Sequence, residues 1–481
     1  MSWFPTPVRL SRHCGRLVVV PLLVLGLVVY LLVPTTRIEN ALRQLYLEHG
    51  QYRHPQETLP PPVTPSAASG TLAKPADICA LRFGNDYLRS FSRTATRYCD
   101  AGSSADLTCF SHKLDDKKTD SFCLGGPASL ETTQKRIELD CTIRDWAEDD
   151  FSRNVPQFRD FPLYWYNTGP RAIFNQHIKL QRIAQAATTP SADAKGFSLL
   201  VQREDNHQNL WHSMMEIMSL TLSLDVLRTT INTKTGKPFF THDDIKQSRV
   251  VFLDKLPNGP YFDLWSIFAG KLPMRIQDMS AMDLATTNIL VPLPGSSNPF
   301  WQGDWLDLHC GESTLLKLFS NRVLDFYNEF DTTTAVQRPP TLTLIDRKEK
   351  RRLLNKELYF EALQKKHPEV NMRMVDYAAL SLSEQIHISH TTDILIGVHG
   401  AGLTHGIFLP PNSTLVEIQP PSLKHKGFHN MAEALGHRYF TCHGSEHEIP
   451  QGNGDWQHDD VFLEETAFME IMDKAIASMA G

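Results

Sequence analysis

The fold class is decided by residues 393–418, which read DILIGVHGAGLTHGIFLPPNSTLVEI. Two apolar runs, 393–398 and 414–418, have the length and composition of buried strands. Between them, a glycine-broken turn at 399–402 leads into a further apolar segment at 403–408. A buried strand followed by a glycine turn and a helix is typical of a parallel α/β sheet.

The same alternation extends over the second half of the chain. We expect strands at 288–293, 341–346, 370–376, 393–398 and 414–418, and helices near 312–327, 349–366, 383–390 and 429–436. Strands separated by helices indicate Rossmann-like units. The first half is less regular, with strands at 197–202 and 249–254 on either side of a helix at 210–227. The predicted fold class is α/β, with two Rossmann-like domains that face a cleft.

The N-terminal region predicts a membrane anchor. Residues 17–33 carry no charge and follow Arg9, Arg12 and Arg16, so the positive-inside rule keeps the N-terminus cytoplasmic. A cleaved signal peptide is the alternative, but no A-x-A-like cleavage site follows. The expected organisation is a cytoplasmic tail 1–16, a transmembrane signal anchor 17–33, a stem 34–74, a first domain 75–287, a second domain 288–445, and a C-terminal tail and helix 446–481 that cross back.

Cysteine usage and charge agree with a type II membrane protein whose domains lie in the lumen of the Golgi or endoplasmic reticulum. Seven cysteines follow the anchor without any C-x-x-C pair, so we expect disulfides with one thiol left free rather than a structural zinc site. Their pairing cannot be read from the spacing. The net charge of −6 gives no reason to expect a nucleic-acid partner.

The turn after the strand at 393–398 has the composition of a phosphate site. Glycines let the backbone approach a ligand closely, and a helix N-terminus supplies N–H groups for an anion. We expect the ligand to contact the turn and the start of the helix, namely His399, Gly400, Ala401, Gly402, Leu403 and Thr404. Five basic residues within 347–352 follow the preceding strand, and arginine side chains there would bind phosphate oxygens.

These motifs together resemble glycosyltransferase family 61. The resemblance is carried by R-x-x-x-R-x-x-x-N (Arg347, Arg351 and Asn355), by G-x-H-G-A-G-L-T, and by P-x-x-x-x-x-E, which ends at Glu417. Within the family, the segments TDILIGVHGAGLTH and NLWH are most similar to the EGF domain-specific O-GlcNAc transferase branch. The chain has His405 where an asparagine often follows the threonine.

The resemblance implies an inverting enzyme of the GT-B class, whose second domain binds a nucleotide sugar. Asn355 and Glu417 are then expected, with the two arginines, to contact the donor. The implied donor is a UDP-sugar, with UDP-GlcNAc favoured and UDP-xylose as the alternative. The implied acceptor is a hydroxyl group of a glycoprotein or a glycan. A Golgi pentosyltransferase of the same family and an inert, lectin-like membrane protein are the other hypotheses.

No D-x-D sequence occurs in the chain, so we expect a transferase that uses no metal or other cofactor. An inverting transferase needs a base that takes the proton of the acceptor hydroxyl. His212 and Glu216 lie four residues apart on the expected helix and therefore on one face. We expect Glu216 to be the base, with His212 orienting it or serving in its place; Glu204 and His207 are less favoured.

Overall fold

The computed structural model describes residues 75–113, 118–182, 196–204, 207–284, 287–329, 338–445 and 455–480. All of them belong to the unit that spans residues 51–481. The predicted tail, anchor and stem, residues 1–74, lie outside the described residues. Within the described ranges, no helix combines the length and the apolar character that a membrane span requires.

The described residues form two main sheets and a small hairpin. The strands are β1 (Thr96–Arg97), β2 (Asp106–Lys113), β3 (Thr119–Glu131), β4 (Arg136–Asp140), β5 (Ile178–Gln181), β6 (Phe197–Val201), β7 (Ile231–Asn232), β8 (Lys237–Pro238), β9 (Arg249–Phe252), β10 (Lys271–Arg275), β11 (Thr287–Val291), β12 (Thr341–Ile345), β13 (Asn371–Val375), β14 (Ile394–Val398), β15 (Thr414–Gln419) and β16 (Arg438–His443). The α-helices are α1 (Pro75–Phe83), α2 (Asn85–Arg93), α3 (Glu148–Ser152), α4 (Pro170–His177), α5 (Leu210–Thr229), α6 (His242–Ile245), α7 (Ala281–Leu284), α8 (Pro299–Gln302), α9 (Thr314–Phe326), α10 (Lys356–Lys366), α11 (Leu382–His390), α12 (Gly427–Leu435) and α13 (Glu465–Ala477).

The second sheet has the order β13-β12-β14-β15-β16, and all of its strand pairs are parallel. Every residue of β14 and β15 is buried, because strands inside a parallel sheet are covered on both faces. This burial explains the continuous apolar runs in the sequence. After β14 the chain enters a 3₁₀ helix, Ala401–Phe408, as the glycine turn predicts. A parallel α/β fold is thereby confirmed for this half.

The first sheet is mixed, and it contains one strand that the sequence analysis assigned to the second domain. Its path is β1-β2-β3-β11-β6-β9-β10, in which β11, β6, β9 and β10 run parallel while β1, β2, β3 and β11 pair antiparallel. β11 joins the two parts, since Leu290 pairs with Leu199 on one side and Leu124 on the other. Apolar content predicts that this strand is buried, but not which sheet it enters.

The helix expected at 349–366 begins only at Lys356. The preceding residues pair with a distant segment instead: Val461 donates its N–H to Arg352 O at 2.8 Å and accepts from Leu354 N at 2.9 Å. Arg351 and Asn355 have φ values of 53° and 57°, which a helix does not allow. The basic residues therefore lie in a loop, and the spacing R-x-x-x-R-x-x-x-N does not mark one helical face.

Disulfides are present, as cysteine usage predicts. Cys99–Cys141 and Cys109–Cys123 link parts of the first sheet, and Cys79–Cys310 joins α1 to the segment before α9. Among the described residues, Cys442 is a free cysteine. The expectation of one free thiol after the anchor is therefore met.

A buried ion pair connects α5 with α9. α5 follows β6 of the first sheet, and α9 packs on the 3₁₀ helix that follows β14 of the second sheet. Arg322 on α9 donates to both carboxylate oxygens of Asp225 on α5, at 2.7 and 2.8 Å. Both side chains are buried. Ser320, also on α9, donates to Ile407 O at 2.6 Å. The pair therefore fixes α9 between the two halves.

We expect Arg322→Met to lower the free energy of unfolding by about 3 kcal/mol, because it leaves the Asp225 carboxylate buried without its main partner. Urea unfolding of the purified chain measures this change. The control is Arg338→Met, which removes an exposed pair with Asp393 and should cost at most about 1 kcal/mol. Equal effects of the two substitutions would contradict the role given to the buried pair.

Candidate functional site

A cavity of about 520 Å³ is lined by residues from both halves of the fold. The carboxyl end of β14 contributes His399, and the start of α5, soon after β6, contributes Trp211 and His212. The remaining lining residues are Trp165, Tyr166, Asn209, Trp301, Asp304, Trp305, Lys350, Arg351, Gly400, Ala401, His425, Phe428, Trp456 and Gln457. Ligands of parallel sheets bind beyond the carboxyl ends of the strands, which is where this cavity lies.

A second cavity of about 320 Å³ shares Lys350 and Ala401 with the first. It lies beyond the ends of three strands of the second sheet, against residues 345–350 after β12, 376–378 after β13, and 401–405 after β14. Gln208, Leu210 and Tyr261 close it from the first half of the chain. The two cavities thus adjoin each other at the glycine turn.

Two arginines pack against the backbone of Gly400. A Cβ atom at this position would lie 2.6 Å from Arg347 Nη1 and 3.2 Å from Arg351 Cζ, and the φ of Gly400 is +153°. Arg347 Nε donates to Lys350 O at 2.9 Å, which fixes the loop that carries both arginines. Only glycine allows both this conformation and this approach. The expectation that the basic residues and the glycine turn lie together is therefore confirmed, although a helix was expected where the structure has a loop.

The two guanidinium groups create a strongly positive environment. Burial is the main reason that the pKa of Arg351 falls to about 10, and the charge of Arg347 lowers it further. Arg351 Nε is buried and has no hydrogen-bond partner. Within the described residues, neither arginine forms an ion pair. An anion bound here would satisfy donors that the protein itself leaves unmatched.

His399 lines the larger cavity and contacts a buried carboxylate. Its Nδ1 lies 2.6 Å from Glu417 Oε1, and the Tyr439 hydroxyl donates to the other oxygen of Glu417. Burial lowers the pKa of His399, although the Glu417 carboxylate opposes this effect. Glu417 is fully buried and does not line either cavity. Its position is that of a residue that orients His399, rather than one that contacts a donor directly.

A second histidine–carboxylate pair faces the cavity from the first half of the chain. His212 Nδ1 lies 3.0 Å from Glu204 Oε2, and its ring contacts the Trp301 ring at a centroid distance of 4.3 Å. Glu204 is fully buried. Burial lowers the pKa of His212 to about 4, so the imidazole is neutral near pH 7. If Nδ1 donates to Glu204, then Nε2 is the nitrogen that can accept a proton.

Glu216, the residue expected to be the base, does not line the cavity that contains His212. Its Oε1 accepts from Glu204 N at 2.9 Å, and it borders a separate small cavity beside Leu200 and Gln202. Burial, followed by the nearby Glu204 charge, raises the pKa of Glu216 well above its ordinary value. The i, i+4 spacing correctly predicts that Glu216 and His212 share a face of α5, but it does not predict how deeply Glu216 is buried.

Of the remaining predicted residues, some line at least one of the two cavities and the others line neither. Ala401 lines both cavities and Gly402 lines the smaller one, whereas Leu403 and Thr404 are fully buried in the 3₁₀ helix. Asn355 is exposed at the start of α10 and lines neither cavity, because its helix begins after the loop. Asn355 is thus the member of the basic motif that does not reach the site.

His405, which stands where the family often has asparagine, lines the smaller cavity. Its Nδ1 lies 2.8 Å from Gly402 O, and its Nε2 lies 2.8 Å from Gln385 Oε1. The ring contacts Tyr377 at a centroid distance of 4.3 Å. His405 therefore links the glycine turn to α11 through its two ring nitrogens.

The aromatic wall of the larger cavity, formed by Trp301, Trp305 and Trp456, was not predicted from the sequence. Trp301, Asp304 and Trp305 come from the segment PFWQGDW at 299–305, and His425 Nε2 lies 3.4 Å from Asp304 Oδ2. Three aromatic residues and an aspartate within seven residues, soon after a buried strand, were the available signal. Trp456 comes from a C-terminal segment with no such pattern.

We expect Gly400→Ala to weaken binding of UDP by about tenfold or more, because its Cβ would displace a guanidinium group that is worth roughly 1.5–3 kcal/mol in a charged hydrogen bond. Calorimetric titration measures the change. The control is Gly311→Ala, where a Cβ meets nothing within 4 Å, and UDP affinity should stay the same. Unchanged affinity in a folded Gly400→Ala protein would place the anion elsewhere.

Comparisons with known proteins agree with this geometry. Residues 210–416 match the family described as Glycosyltransferase 61. The chain is 32% identical over 148 residues to the EGF domain-specific O-linked N-acetylglucosamine transferase of Xenopus laevis, which is 30% of this chain and 28% of that protein. The Drosophila melanogaster enzyme of the same name is 24% identical over 270 residues, 53% of this chain and 47% of its own length. The Mus musculus enzyme is 31% identical over 147 residues, 30% of this chain and 28% of its own length.

These matches span less than half the length of each of the three relatives. The matched range contains α5 with His212, the arginine loop, and the glycine turn up to β15. The resemblance inferred from the motifs, and its leaning towards the EGF domain-specific O-GlcNAc transferases, are therefore confirmed. Residues 210–416 are therefore similar to glycosyltransferase family 61.

Proposed function

We propose that this protein is a metal-independent, inverting glycosyltransferase that moves a sugar from a UDP-sugar, with UDP-GlcNAc favoured, to a hydroxyl group of a glycoprotein or glycan. One observation carries the proposal. Two guanidinium groups without ion-pair partners among the described residues lie on the Gly400 backbone, and one of them, Arg351, lines the same cavity as His212, whose Nδ1 contacts the buried Glu204. An anion site beside a histidine that can act as a base is the arrangement that sugar transfer requires.

The donor diphosphate would bind to Arg347 and Arg351 at the turn. Their charges neutralise the phosphate oxygens, so the leaving group needs no divalent ion. The uridine would occupy the smaller cavity, beside Tyr377 and His405, because that cavity adjoins the turn on the side of the second sheet. The sugar would then point into the larger cavity, where the acceptor enters past the aromatic wall.

In the proposed reaction the acceptor oxygen attacks the anomeric carbon while His212 Nε2 takes its proton. The bond between the anomeric carbon and the β-phosphate oxygen breaks, and its electron pair leaves with UDP. Glu204 would stabilise the imidazolium that forms, as a carboxylate behind a catalytic histidine does. This role replaces the one expected for Glu216, whose Oε1 accepts a hydrogen bond from Glu204 N and so holds the Glu204 backbone in position.

The two-domain GT-B architecture and the membrane placement are part of the proposal. A signal anchor at 17–33 and a stem at 34–74 would hold the folded domains in the lumen of the Golgi or endoplasmic reticulum. The three disulfides support an oxidising compartment. The similarity to enzymes named as N-acetylglucosamine transferases supports GlcNAc over xylose as the transferred sugar.

Incubation of the full-length chain with a panel of radiolabelled UDP-sugars, in EDTA, tests the function. We expect release of UDP from UDP-GlcNAc, increased by an acceptor with free hydroxyl groups. Turnover of UDP-xylose alone would indicate the pentosyltransferase alternative. Absence of turnover with every donor, despite tight UDP binding, would favour the inert binding protein.

The identity of the base is tested by His212→Gln and Glu216→Gln. General-base catalysis typically contributes about 10²–10⁴-fold, so His212→Gln should lower kcat by that factor while the affinity for UDP stays the same. Glu216→Gln keeps an oxygen that can accept from Glu204 N, at a position that does not line the larger cavity, and should keep most of kcat. The opposite outcome, loss with Glu216→Gln and activity with His212→Gln, would return the role of base to Glu216.

A further inference from the structure

A cluster of metal-ligating side chains lies outside the two cavities. Asp307, His429 and Glu433 each offer one ligand atom, and these atoms all lie within 4.8 Å of one another. None of the three lines either cavity. We propose that they bind a divalent cation of the zinc class, at a site separate from the diphosphate site.

The contacts within the cluster are poorly satisfied without a cation. His429 Nδ1 lies 3.6 Å from Asp307 Oδ1, and its Nε2 lies 3.3 Å from Glu433 Oε1. His429 Nδ1 and Glu433 Oε2 are also buried and have no hydrogen-bond partner. A cation can bind one imidazole nitrogen of His429 together with one carboxylate oxygen each from Asp307 and Glu433.

The two segments that supply the ligands are already held in place. Asn430, between the two ligands of α12, donates to Gly303 O at 3.1 Å and to Leu306 O at 2.8 Å, and accepts from Leu308 N at 3.2 Å. Its side chain is buried. The loop that carries Asp307 therefore lies against α12 before any cation binds, which lowers the entropic cost of assembling the site.

The ligand types favour zinc over magnesium or calcium. An imidazole nitrogen with two carboxylates suits Zn²⁺, whereas Mg²⁺ and Ca²⁺ prefer oxygen ligands alone. Three protein ligands with a water molecule in the fourth position are a common zinc arrangement. Lys426 Nζ lies 3.4 Å from the other oxygen of Asp307 and is the internal cation with which a metal would compete.

A cation here would stiffen one wall of the larger cavity. The loop that carries Asp307 also supplies Asp304 and Trp305 to the cavity, and α12 supplies Phe428. Binding would link these two segments beyond the contacts of Asn430. The arginines and His212 are not ligands, so the site does not depend on the proposed sugar transfer.

The test is calorimetric titration of the metal-stripped full-length chain with zinc chloride, together with its melting temperature. We expect one saturable site whose occupation raises Tm. Asp307→Asn and Glu433→Gln should each weaken zinc binding by at least about tenfold and abolish the rise in Tm. Both positions are partly exposed, so the variants should fold, which their Tm without zinc will verify.

The matched control is His367→Gln. The His367 ring likewise lies between two carboxylates, at 3.2 Å from Glu369 and 2.8 Å from Asp473, but it belongs to no metal-ligating group among the described residues. Zinc binding should be unchanged in this variant. The proposal is overturned if the wild-type chain shows no saturable zinc site, or if Asp307→Asn and Glu433→Gln bind zinc as the wild type does.

Discussion

The contact on which the candidate site depends is that of two arginine side chains with the backbone of Gly400. Like charges repel, and partial burial makes each guanidinium group harder to keep charged. The fold nevertheless holds Arg347 and Arg351 together, through a loop paired with the segment around Val461 and a turn that leaves no room for a Cβ. Such an arrangement is stabilised when an anion binds, which is why a diphosphate is the ligand that suits it.

Two histidine–carboxylate pairs, one from each half of the fold, lie at the larger cavity, and the two histidines have different neighbours. His399 lies beside the arginines and is held by Glu417, whereas His212 lies beside Trp301 and is held by Glu204. In the proposed reaction the first pair would lie on the donor side and the second on the acceptor side. This division lets donor binding and proton transfer be altered independently, since their residues come from different elements.

Four of the five strands of the second sheet could be predicted closely from the sequence, because strands buried on both faces leave an unambiguous apolar pattern; the edge strand β16, which is only partly buried, was not predicted. β14 and β15 begin and end within a residue of the expected bounds. The glycine turn and the basic loop were also paired correctly, since the carboxyl ends of neighbouring parallel strands meet at one edge.

The failures share one cause, which is that tertiary contacts override local pattern. The helix expected from residue 349 gives way to pairing with residues near 461, more than a hundred positions away. β11 has a strand pattern, but its sheet is decided by β3 and β6. Helical spacing correctly indicated that His212 and Glu216 share one face of α5. His212 lines the larger cavity, whereas Glu216 is buried and does not. Asp307 lies more than a hundred positions from His429 and Glu433, so the sequence pattern did not indicate that these three side chains meet.

The most direct test of the central claim compares the binding of UDP with that of uridine in EDTA. Calorimetric titration of the full-length chain gives both dissociation constants. If the arginines at Gly400 hold the diphosphate without a metal, UDP should bind about a hundredfold or more tightly than uridine, since each charged hydrogen bond contributes roughly 1.5–3 kcal/mol. Equal affinities in EDTA, with a preference for UDP that appears only on addition of a divalent ion, would contradict the account.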